Sequence, residues 1–91
     1  MTNKKENDVI LYIISDKDLQ DWNDRQYYFS SYEKAEKEYK KIEKYYEEQF
    51  EDLLGDKENY IKSDNYFCIF DYSELELYEI RRNDLDQVIN L

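Results

Sequence analysis

The chain has no histidine, no proline, one cysteine and one glycine, and no long apolar run. Each absence removes a class of function. Without histidine it lacks the commonest metal ligand and the side chain that ordinarily exchanges protons near neutral pH. A lone cysteine, Cys68, excludes an internal disulfide framework and a thiolate zinc cluster. A lone glycine, Gly55, leaves no glycine-rich loop to cradle a phosphate. Calcium-loop spacing and a Ser-His-Asp set are also missing, so no metal, no cofactor and no enzymatic activity are expected. No stretch approaches the ~18 apolar residues of a membrane span, and the start, MTNKKEND, lacks the apolar centre of a secretory leader. The expectation is a cytoplasmic protein of a bacterial host.

What is present is charge and aromatic surface. Of 91 residues, 40% are charged and 18% aromatic, and the formal net charge is −10. The length is that of one domain, which buries only about 60–65% of the surface its unfolded chain exposes. The aromatic and aliphatic content argues for a folded domain spanning 9–91, after a disordered or extended start at 1–8. The field of such a chain repels nucleic-acid phosphates and anionic membranes. Its expected partners are therefore basic surfaces, such as the nucleic-acid-binding face of a host protein.

Residues 9–14, VILYII, form an apolar run rich in β-branched residues and read as an interior strand. Both its faces are apolar, so a terminal segment, a loop or a second copy of the chain is expected to cover the outer one. Residues 16–25 read as a polar loop anchored by Trp22, and 26–29 as a short strand. A long helix follows. Ser30 and Glu33 match a capping box, and apolar residues recur at Tyr32, Ala35, Tyr39, Ile42, Tyr46, Phe50 and Leu53. The spacing predicts a helix from Ser31 to Leu54, ended by Gly55 in the left-handed conformation. Glu33–Lys37 and Glu36–Lys40 add favourable pairs one turn apart.

Tyr60-Ile61 begins a strand or ends a loop. Residues 66–70, YFCIF, read as an interior strand. Residues 74–80, ELELYEI, alternate as an edge strand should, although Ser73 and Glu76 also match a helix cap. A short helix capped by Asn83 is predicted at the C-terminus. The expected fold is α+β: an antiparallel sheet of 3–4 strands with one long helix packed on one face.

One feature of the helix resists a stability explanation. Between Glu43 and Glu58 there are seven acidic residues and two lysines, so half the net charge lies in this stretch. It faces the negative pole of the helix dipole, where each carboxylate costs about 0.3–1 kcal/mol. Extended to Asp52, the helix would space its carboxylates at about 3.4 Å per charge, near the axial spacing of phosphates along one DNA strand. Two readings stand: a solvated acidic face, or a surface that docks on a basic protein in place of nucleic acid. The candidate contact residues for the second are Glu43, Glu47, Glu48, Glu51, Asp52 and Asp56, with Tyr45 as an aromatic anchor.

The pairs Tyr27-Tyr28 and Tyr45-Tyr46 should each place one ring inward and one outward. Cys68, between Phe67 and Ile69, reads as a small buried hydrophobe.

The junction YYFSSYEKAEKEYKKI, a short strand running into one long helix, resembles small acidic phage and mobile-element proteins of the anti-defence type, such as anti-CRISPR and anti-restriction inhibitors. The resemblance implies a non-enzymatic inhibitor of a nuclease or defence effector. Two alternatives remain at the level of sequence: an assembly module that forms a homodimer through its sheet, and a small-ligand binder.

Overall fold

A computed structural model of the protein describes residues 9–82. The described chain is α+β. Strands β1 (Val9–Asp18) and β2 (Asn23–Phe29) form a hairpin, α1 (Tyr32–Gln49) follows, and β3 (Tyr60–Lys62), β4 (Tyr66–Ile69) and β5 (Ser73–Arg81) complete one antiparallel sheet. The strand order is β2-β1-β5-β4-β3, so the last strand becomes the centre.

Alternation along each strand decides what meets the helix. On β1 the helix-facing positions are Tyr12, Ile14 and Asp16. Ile14 lies opposite Leu77 and Tyr27, and Asp16 opposite Leu75 and Arg25. Phe67 and Ile69 of β4 continue the same face beyond Leu75 and Ser73. The helix brings down Ala35, Tyr39 and Tyr46, and these join Ile14, Phe67, Ile69, Leu75 and Leu77 in one core. Ala35 is fully buried, which suits a small residue at a close approach of helix and sheet. Fully burying a side chain the size of Leu75 or Phe67 is worth about 1.5–3 kcal/mol.

The helix starts one residue later than the capping signal suggested. Ser31, not Ser30, is the N-cap, and its hydroxyl accepts from the Lys34 N–H. Glu36 accepts from the Tyr32 hydroxyl at 2.9 Å. Neither Glu33–Lys37 nor Glu36–Lys40 closes to an ion pair within 4.0 Å. The helix also ends earlier, at Gln49. Phe50 leaves helical geometry while its N–H still donates to the Tyr46 carbonyl. Two short 3₁₀ turns, Leu53–Gly55 and Lys57–Asn59, carry the chain to β3. Gly55 lies inside the first with negative φ, so it is not the left-handed stop that a lone glycine implied.

The sheet is larger than the 3–4 strands expected, at five. Asp16, Lys17 and Asp18 continue β1, and polar Asn23, Asp24 and Arg25 pair with them, so the anticipated loop 16–25 shrinks to 19–22. Residues 74–80 are strand, as the alternation suggested, yet β5 is central rather than an edge. The C-terminal helix expected from Asn83, and the segment 1–8, lie outside the described residues.

The hairpin tip carries an unusual residue. Asp18 Oδ1 accepts from the N–H groups of Gln20 and Asp21, which shapes the turn. Trp22 closes it with φ at 56° and is 86% exposed. A bulky side chain in the left-handed region costs about 1–2 kcal/mol, and Trp22 recovers nothing of this from burial.

The sheet's other face bears Tyr28, Ile13 and Tyr78 side by side, with Leu11 opposite Ile80 beyond them. Cys68 is also buried on this face, and burial raises its thiol pKa, which disfavours the nucleophilic thiolate.

Candidate partner-binding surface

The acidic half of α1 divides into two groups. Glu43 and Glu47, one turn apart, face β3 at the sheet edge, where Lys62 lies between them. Its Nζ sits 2.8 Å from Glu47 Oε2 and 3.9 Å from Glu43 Oε1. The ammonium also stands 5.9 Å from the Phe67 ring centroid. Glu43 is only 9% exposed. Burial pushes its carboxyl above the usual range, and Lys62 pulls it part of the way back. The Glu47 hydrogen bond raises the Lys62 ammonium in turn. Lys62 thus engages both carboxylates and offsets one of their two charges within the fold.

Glu48, Glu51 and Asp52 form the second group. All three are exposed, and with Phe50, Leu53 and Tyr72 they border a groove of about 440 Å³. Among the described residues no lysine or arginine nitrogen lies within 4.0 Å of them. The last turn of α1 has no basic residue, so these charges meet the negative helix pole uncompensated. Because Phe50 breaks the helix, Glu51 and Asp52 leave its axis. The even, DNA-like spacing expected from Glu43 to Asp52 is therefore not realised.

Two other candidates part from this group. Asp56 turns back on its own chain, its Oδ1 accepting from the Glu58 N–H. Tyr45 is 58% exposed and edge-on to Tyr46, with ring centroids 5.6 Å apart, but it lines a different cleft. Both tyrosine pairs split as expected, with Tyr46 buried beside Tyr45 and Tyr27 half-buried beside exposed Tyr28.

That cleft, of about 570 Å³, lies between α1 and the β1–β2 hairpin, and sequence reasoning missed it. Asp16 lies at its base, 7% exposed, with Oδ1 accepting from the Tyr46 hydroxyl. Burial raises the Asp16 carboxyl pKa, while the Tyr46 hydrogen bond and the charge of Arg25 oppose the rise. The only signal for this site in the sequence was Asp16 in register with Tyr12 and Ile14, an acid continuing an apolar face.

No helix among the described residues is long and apolar enough to cross a membrane. No group of three or more Cys, Asp or Glu side chains is arranged to hold a metal ion among the described residues. Compared with protein-family models, curated proteins and solved structures, the chain matches none.

Proposed function

We propose that this chain is a non-enzymatic inhibitor that binds the basic, nucleic-acid-handling surface of another protein through the exposed carboxylates at the end of α1. The observation that carries the reading is Glu48, Glu51 and Asp52 crowded at the negative pole of α1 with no cation within reach among the described residues. Residues kept for folding alone would place lysine there. A basic partner supplies the missing counter-charge, and Phe50, Leu53 and Tyr72 supply apolar contact beside it. Glu43 and Glu47 drop out of the contact set because Lys62 already answers them. A nuclease or defence effector is the kind of protein that offers such a surface.

The test uses bacterial proteins retained on DNA-cellulose. Immobilised wild-type chain should withdraw a subset of them at low salt and release it to high salt or to duplex DNA. The variant Glu48→Lys/Glu51→Lys/Asp52→Lys should withdraw none. Equal capture by the variant sinks the reading.

A second reading, self-association through the sheet, is favoured by exposed Tyr28 and half-buried Tyr78, which flank buried Ile13 on the face away from the helix. Solution mass decides it, with a monomer at high concentration counting against it.

A further inference from the structure

We infer that the cleft between the β1–β2 hairpin and α1 receives a single arginine side chain from a partner protein, which meets the carboxylate of Asp16. This goes beyond the helix-end reading and does not rest on it.

Asp16 is more than nine-tenths buried, yet only one of its oxygens has a hydrogen-bond partner among the described residues. Oδ1 is held by the Tyr46 hydroxyl, which fixes the carboxylate plane. Oδ2 accepts nothing, and it is not sealed within the protein, so it is left for the cleft that Asp16 lines. Oδ2 opens to the cleft and is reached by water there, and an incoming charged N–H replaces that water with a charge-assisted hydrogen bond.

The surroundings select the donor. Asp18, Asp21 and Glu38 stand around the cleft with Asp16, against Arg25 and Lys41, so its lining carries two more negative charges than positive. Arg25 lies opposite Asp16 on the neighbouring strand but is exposed and forms no ion pair within 4.0 Å among the described residues. The acids are spread along the walls and do not converge as metal ligands, which disfavours a point cation. Tyr27 and Tyr45 offer aromatic surface. A planar guanidinium can stack face to face on a ring while directing two parallel N–H groups at a carboxylate, whereas an ammonium has no flat face to stack and no two-pronged fork. The volume, about 570 Å³, falls in the range of pockets that hold a ligand larger than a water or an ion.

The probes are three capped residues titrated into the full-length ¹⁵N-labelled chain: N-acetyl-arginine methylamide, its lysine counterpart, and the citrulline counterpart as a neutral isostere. The arginine probe should move the amides of Asp16, Arg25 and Tyr45 saturably, with Kd on the order of 1 mM, as suits one small contact. Lysine should bind at least about threefold more weakly, and citrulline should not saturate. Asp16→Asn keeps the shape and the Tyr46 bond and should weaken the arginine probe by about tenfold. Arg25→Ala should tighten it by removing a like charge. The variant Glu48→Lys/Glu51→Lys/Asp52→Lys should still bind it, which separates this site from the helix end. If Asp16→Asn does not fold, Arg25→Ala and Tyr45→Ala decide, the latter expected to weaken binding. Equal response to citrulline or lysine, unchanged binding in a folded Asp16→Asn chain, or shifts confined to residues 48–52 would each overturn the assignment.

Discussion

Glu43 and Glu47 leave the same stretch of chain as Glu48, Glu51 and Asp52, and all five are carboxylates. Their surroundings differ completely. The first pair points at the sheet edge and shares Lys62, while the other three stand in solvent around a groove with no cation within 4.0 Å among the described residues. The difference arises from one residue on strand β3, Lys62, fifteen positions from Glu47. Charge density is a local property of sequence, but charge balance belongs to the fold. A run of acids therefore marks a binding surface only after the fold's own cations have been subtracted.

Removing the cation should have the largest effect on this contrast. Lys62→Ala leaves buried Glu43 without its partner and takes the Glu47 hydrogen bond as well. A loss of about 1–2 kcal/mol is expected, read from urea midpoints. A loss below the noise would mean that the two groups of acids are equivalent. Reversing the exposed group should act in the other direction. Glu48→Lys/Glu51→Lys/Asp52→Lys places cations at the negative helix pole and should stabilise the fold by about 1 kcal/mol in low salt, fading as salt is added. A destabilised variant would show that these acids have folding partners after all.

The smallest effect is on pH dependence. Asp16 and Glu43 are both raised above their unfolded values, chiefly by burial. The folded chain thus binds more protons than the unfolded one just above the ordinary carboxylate range. Their contribution is complete below the unfolded pKa and is lost as pH rises through the folded one. Lowering the pH from neutral toward the ordinary carboxylate range should therefore raise stability through these groups. Glu43→Gln should flatten that slope, and Lys62→Ala should steepen it because Lys62 now holds the Glu43 pKa down. Parallel midpoint-against-pH curves for the three chains would contradict the placement of Glu43.

The parts of the fold written in short-range pattern could be read from sequence. The α1 stripe from Ala35 to Tyr46, the β5 alternation and the split tyrosine pairs all follow from periods of 3.6 and 2. The full extent of the hairpin strands could not be read, because Asp16-Lys17-Asp18 and Asn23-Asp24-Arg25 are polar and become strand only by pairing with each other and, for 16–18, with β5. The helix end was misplaced because Leu53 and Leu54 keep the apolar rhythm, although Phe50 has already left helical geometry. At the site, the acids themselves were legible. Their division by Lys62 and the Asp16 cleft were not, since both depend on which strands lie next to α1.

Trp22 is the chain's single tryptophan, and it stands outside the core. Indole emission therefore serves poorly as a gauge of denaturation, since this ring should keep a water-like spectrum whether or not the sheet is intact. The same isolation makes it a quiet reporter of anything that touches the hairpin tip. A blue shift, or shielding from acrylamide, would signal an arriving molecule rather than a change in folding.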